Sequence, residues 1–140
     1  MFAFSKRKRQ PKDLFGTLDR IFSLFIRLRD ADNSGYCCCI TCGKIFHWKN
    51  GDAGHFIPRD RHATRYNTKN VNFQCLHCNR FRSGEQYAHG IAIDKKYGTG
   101  TADQLKLLSQ SKAHLKDFWL QYHIDLYRQK VKQLKKEKGL

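Results

Sequence analysis

The chain has 140 residues, enough for one compact domain with a small core, and its two prolines mark no Pro/Ser/Gly linker that would divide it. Lysine and arginine outnumber aspartate and glutamate 27 to 12, a formal net charge of +15, which points to a polyanionic partner, nucleic acid above all. No apolar run approaches the ~18 residues of a membrane span, and MFAFSKRKRQ carries its apolar residues before its charges, unlike a secretory signal; a cytoplasmic protein with reduced thiols is expected.

The basic residues gather in Lys6–Arg9, in residues 59–82 and in the tail 128–138. A basic tail is predicted over 1–12 and an N-terminal helix over 13–35, where Leu18, Ile21, Phe22, Leu24, Phe25, Ile26 and Leu28 form a largely buried apolar face before the turn formers ADNSG. From 36 to 90 the texture is of short segments. CCCITCGKIFHW reads as a cysteine knuckle followed by a short strand, AGHFIP as a second strand ending at Pro58, and NVNFQCLHCNRFRSG as a turn leading into a short helix that stops near Gly84. C-terminal helices with a basic end are predicted over 91–140. Thr101 and Gln104 form a capping box, and Leu115, Phe118, Trp119, Tyr122 and Leu126 form a core stripe on the last helix, whose basic end RQKVKQLKKEK frays. The fold class expected is α+β.

Of the six cysteines, two pairs have metal-ligand spacing. Cys39 and Cys42 are followed by Gly43, and Cys75 and Cys78 come after 32 intervening residues. Two thiolates at this spacing on a tight turn share one ion, and two such knuckles complete a tetrahedral zinc shell. The competing redox-pair reading wants a βαβ context that the sequence lacks. Cys37 and Cys38 are surplus, and the register could slide to Cys38, but the spacing and Gly43 favour Cys39. A closed four-cysteine site is structural, so any catalysis has to come from elsewhere.

Between the knuckles lie Asp52, His55, Asp60, His62, Arg65 and Asn70. With AGHFIP supplying His55, NVNFQC supplying Asn70 and CLHCNR supplying Asn79, the arrangement resembles the HNH, or ββα-metal, nucleases. The blocks LFIRLRDAD, CITCG, DAGHFIPR, NVNFQCLHCNRFRSGEQYAHG and DKKYGTGTADQL extend the resemblance to the phage NinG/Rap recombination family over residues 18–108. The resemblance implies a zinc-stabilised ββα-metal core flanked by helices, and a Mg²⁺- or Mn²⁺-dependent endonuclease for branched DNA (Holliday junctions, D-loops) in the bacterial host's cytoplasm. By that reading His55 is the general base, Asn70 holds the His55 loop or orients the imidazole, and Asn79 is a metal ligand. Arg80 and Arg82, with Arg59, Arg61 and Arg65, contact DNA. Pairing of the long helices would give a homodimer. Many members carry an acid or histidine directly before the base; here that residue is Gly54. Asp52, three residues before His55, is assigned to the metal; on a regular strand it would face away from His55, and Gly54 could permit a bulge that brings it back.

Other readings stay open. Asn70 could be a turn residue and Asn79 a helix cap, Arg65 is structural or phosphate-binding, and His62, His77 and His89 read as solvent-facing or phosphate-contacting. A non-catalytic zinc module that binds DNA, or an HNH nuclease for linear duplex, are the rival functions.

Overall fold

The computed structural model describes residues 12–140; Lys6–Arg9 and all but the last residue of the expected basic tail lie outside them. The architecture is mixed α and β. Helix α1 (Leu14–Asp30) is capped by Asp13, whose carboxylate accepts from the Gly16 amide at 2.8 Å. Strands β1 (Tyr36–Cys38) and β2 (Ile45–His47) form one antiparallel pair and β3 (Gly51–His55) and β4 (Val71–Cys75) another. Helix α2 (His62–Arg65) sits in the β3–β4 connection, and a single helical turn, His77–Phe81, follows β4. Then come α3 (Gln86–Tyr97), α4 (Thr101–Ser109) and α5 (Asp117–Lys138).

The main core forms where α1 and α5 lie side by side over one face of β3–β4. Leu18, Phe22, Phe25 and Ile26 meet Leu120, Ile124, Tyr127 and Val71. A second cluster, Leu28, Ala31, Cys37, Trp48 and Phe73, continues it toward the cysteine knuckle, with Val131 and Leu134 of α5 packed against it. The two helices therefore run in the same direction. At their common end Lys138 Nζ donates to the carbonyls of Leu28 (2.7 Å), Arg29 (3.1 Å) and Ala31. A lysine there both satisfies orphan carbonyls and complements the helix dipole.

Several sequence expectations are corrected. VNFQC is a strand and not a turn: Val71 and Phe73 join the apolar clusters beside α1 while Asn72 and Gln74 alternate to the other face, and cover on both sides buries all five residues. On α5 the buried stripe is Leu120, Ile124 and Tyr127, with Trp119 at its margin; Phe118 and Tyr122 are 76% and 64% exposed. The basic end stays helical to Lys138, where the contact with α1 holds it. Gly100 precedes α4, and Thr101 is its first residue, its hydroxyl donating back to the Gly98 carbonyl instead of capping. Helix α3 crosses the expected 90/91 boundary, and its His89 is fully buried against Phe56 and not solvent-facing. No helix among the described residues is long and apolar enough to cross a membrane.

Candidate metal centre and catalytic cavity

The knuckle Cys39–Gly43 folds back on itself through the Gly43 amide, which donates to the Cys39 carbonyl, and Gly43 takes the left-handed conformation that the turn requires. The Ile40 amide donates to the Phe73 carbonyl at 3.0 Å, which docks the knuckle on β4 just before Cys75. The sulfurs of Cys39, Cys42, Cys75 and Cys78 thereby come within 4.8 Å of one another. Sulfurs around a tetrahedral zinc with Zn–S of ~2.3 Å stand ~3.8 Å apart, and Cys42 and Cys75 are 3.9 Å apart. Amides point at the sulfurs as they do in thiolate sites: Cys75 N to Cys39 Sγ at 3.3 Å and Cys78 N to Cys75 Sγ at 3.4 Å. Burial pushes the Cys39 thiol up, but the amides of Cys42 and Cys75 and the Thr41 hydroxyl outweigh it and hold it down at about 6. The four cysteines can bind a metal such as zinc. Cys37 and Cys38 stand outside the cluster. Cys37 is buried, its thiol pushed up to about 12 chiefly by burial, and donates to the Arg27 carbonyl at 3.4 Å. Cys38 is exposed.

A polar concavity of about 540 Å³ runs along the open edge of β3 between α1 and the loop after the His77–Phe81 turn. Asp19, Asp52, His55, Arg59, Asn79, Arg80 and Ser83 line it. The imidazole of His55 is fixed on one side: its Nε2 stands 2.9 Å from the Arg65 carbonyl. A carbonyl only accepts, so Nε2 carries the proton and Nδ1 keeps the lone pair. Burial, the largest influence, pulls the His55 pKa down to about 4, so the ring is neutral at physiological pH.

Two further residues hold that carbonyl in place. Asn70, fully buried, donates from its amide to the carbonyls of Ile57 (3.0 Å) and Thr64 (3.1 Å) and accepts from the Ile57 amide (2.8 Å), tying both ends of the segment after His55. Asp19 grips Arg65 through Nε (3.1 Å) and Nη2 (2.6 Å) and accepts from the Tyr66 hydroxyl at 2.8 Å. Burial opposes ionisation of Asp19, but Arg65 and Tyr66 prevail and keep its carboxyl below the usual range. Arg65 is thus engaged within the protein. Asp19 was not legible as a site residue: it lies 46 positions from Arg65 on a helix that reads only as core-forming.

Asp52 and Asn79 do meet. Asn79 Nδ2 donates to Asp52 Oδ2 at 2.9 Å, and Arg80 grips the same carboxylate with two bonds of 2.9 Å. Burial raises the Asp52 carboxyl; these donors outweigh it and the group stays ionised. The expected bulge is absent: β3 and β4 pair without interruption from Gly51–Cys75 to His55–Val71. Asp52 and His55 remain on opposite faces of β3, as alternation requires, and share the cavity because it wraps the strand's open edge. Gly54 has another reason. A Cβ there would stand 1.8 Å from Gln74 Oε1, and Gln74 is the buried residue whose amide holds the Gly84 carbonyl at 2.8 Å. Gly54→Ala is therefore expected to destabilise the protein by about 1–3 kcal/mol through displacement of Gln74, read as a lowered urea midpoint; an unchanged midpoint would remove this account of the glycine. Arg59 and Arg61 are exposed, and Arg82 pairs with Glu85.

The comparisons with known proteins follow the same residues. A family model described as "NinG: Bacteriophage Lambda NinG protein" matches residues 4–137. The chain is 31% identical over 85 residues to Protein ninG of Escherichia phage lambda, covering 59% of this chain and 38% of that one. It is 30% identical over 93 residues to Protein ninG of Salmonella phage P22, covering 64% and 41%. The chain spans about two fifths of the length of these curated relatives. No solved structure matches it.

Proposed function

The chain belongs to the NinG family, and we propose that it is a metal-dependent DNA endonuclease of HNH type, stabilised by a structural four-cysteine zinc and acting on branched recombination intermediates in the host cytoplasm. The observation that carries the reading is the presence, in one cavity, of a neutral His55 anchored through Nε2 and of the Asp52 carboxylate with Asn79 hydrogen-bonded to it. In a chain of net charge +15, the polyanion that fits such a cavity is a nucleic-acid backbone.

Phosphodiester hydrolysis needs a base for water, relief of charge on the phosphate and help for the leaving oxygen. His55 Nδ1 takes the proton from water, with Nε2–H anchored so that the ring does not rotate. The Asp52 carboxylate and the Asn79 amide oxygen suit a hard cation such as Mg²⁺ or Mn²⁺, which characteristically takes one or two carboxylates and completes its shell with water and phosphate. When bound, such a cation withdraws charge from the phosphate and the departing oxygen. Arg80, 61% exposed, is free to reach a phosphate once Asp52 has another partner; Arg59, Arg61 and Arg82 extend the basic rim. The preference for branched over linear DNA rests on the resemblance to the recombination proteins.

The test is to incubate the protein with a labelled four-way junction and with a linear duplex of the same sequence, in Mg²⁺ or Mn²⁺ and in chelator. Metal-dependent cleavage of the junction is expected. A protein that shifts the junction on a gel and cuts nothing under any metal is a DNA-binding zinc module instead. Equal cleavage of both substrates makes it a general HNH nuclease. The closed Arg80–Asp52 pair is the observation that favours the module, since it occupies the carboxylate.

A further inference from the structure

We infer that Phe81, at the end of the helical turn, and Tyr87, in the first turn of α3, form a base-stacking surface, and that the two rings select DNA carrying unpaired bases beside the cavity; this rests on the nuclease reading. Phe81 is 79% exposed and Tyr87 85% exposed, a large apolar area to leave in water on a chain of this size. Both adjoin the cavity through their chain neighbours, since Arg80, Ser83, Gly84 and Gln86 line it.

The backbone between the two rings is braced. Ser83, Gly84 and Glu85 all have positive φ, of 52°, 78° and 49°, and the two that are not glycine carry a conformational cost. Bracing offsets it. The Gly84 carbonyl accepts from buried Gln74, the Gly84 amide donates to the Cys78 carbonyl at 3.0 Å, and the Glu85 amide donates to the Arg82 carbonyl at 3.0 Å. Arg82 and Glu85 pair across the turn. The Phe81 ring is further stacked on His77, with centroids 6.2 Å apart at 29°. A rigid segment anchored to the cysteine knuckle through Cys78 loses little freedom on binding.

The charge around the rings identifies the occupant. Phe81 stands between Arg80 and Arg82, both more than half exposed. A protein–protein interface is depleted of charge at its centre, whereas aromatic rings set among arginines match bases strung on phosphates. In an intact duplex the base faces are covered by their neighbours. Only an unpaired or unstacked base, as at a branch, bulge or flap, offers a free face. Stacking of this kind changes affinity by about 5- to 150-fold per base.

The experiment uses the full chain, zinc-loaded, in a chelator too weak to strip zinc and without Mg²⁺ or Mn²⁺, so that nothing is cut. The DNA is a duplex with a 2-aminopurine at an unpaired branch position, beside a fully paired duplex of the same length. Wild type is expected to quench the fluorophore and to bind the branched DNA more tightly. Phe81→Ala/Tyr87→Ala is expected to lose the quenching and about 5-fold or more of the affinity for branched DNA, with paired-duplex affinity unchanged. Equal loss on both DNAs, or no loss, overturns the inference. So does a change of sedimentation from dimer to monomer in the variant, which would assign the rings to a second copy of the chain. Phe81→Leu, which keeps apolar volume, separates stacking from simple burial: retained quenching counts against stacking. Because no cleavage is read, failure of the nuclease proposal and failure of this one give different results.

Discussion

A protein stripped of metal by a strong chelator is expected to lose its cooperative unfolding transition. The elements around the cysteines have little else to hold them. Each sheet has only two strands, and a two-stranded pair is marginal in water by itself. Nearby apolar cover consists of the cysteines themselves and part of Phe46. A structural zinc supplies ~10–16 kcal/mol in small domains at neutral pH, against ~5–15 kcal/mol for the whole stability of an ordinary domain. The loss therefore reaches the main core, because Val71 and Phe73 reach it from the strand that ends at Cys75. Circular dichroism melting and zinc per chain provide the readout. Cys75→Ser is expected to behave like the chelated wild type, and Cys38→Ser to keep one zinc and an unchanged melt, since Cys38 lies outside the cluster. A zinc-free Cys75→Ser protein that melts as wild type does would show that the cluster is not structural; loss of zinc in Cys38→Ser would move the register by one residue.

What was legible in the sequence was local. The cysteine spacing announces itself because two thiolates on one turn need two intervening residues, and the four sulfurs do converge. The buried face of α1 was legible because its apolar residues are nearly continuous. The stripe of α5 was misread for a related reason: Phe118 and Tyr122 are as apolar as Trp119, and periodicity alone does not tell which of two overlapping faces α1 will cover. VNFQC alternates as a strand should, but its polar Asn72 and Gln74 find their cover only in the fold, Asn72 against Tyr97 and Lys96 of α3 and Gln74 against the Gly84 carbonyl. The site shows the same limit. Asp52, His55, Asn70 and Asn79 were named from spacing and resemblance, whereas Asp19 reaches the cavity and its partners Arg65 and Tyr66 only through tertiary packing. Gly54 was read as a missing acid. In the fold it is the gap into which Gln74 fits.

Replacing His55 by glutamine is expected to remove cleavage while leaving the structure in place, and this is the sharpest test of the catalytic proposal. The two nitrogens of the ring have separate duties. Nε2 donates to the Arg65 carbonyl at 2.9 Å, and a glutamine amide can supply the same N–H. Nothing in glutamine replaces the basic lone pair of Nδ1. Loss of a general base costs ~10²–10⁴-fold in rate, so His55→Gln is expected to fall by that factor in kcat with junction affinity and melting temperature near wild type. His55→Ala loses the same rate and also leaves the Arg65 carbonyl without its donor, so a lower melting temperature accompanies it. The pH profile adds an independent check. Burial pulls the His55 pKa from 6.5 to about 4; the free enzyme therefore keeps the unprotonated ring as pH falls through 6.5, and the acid limb of kcat/KM is expected well below that value. A His55→Gln protein that cuts the junction at the wild-type rate, or a wild-type acid limb centred at 6.5 or above, would assign the base to another group and leave His55 a purely structural anchor for the Arg65 segment.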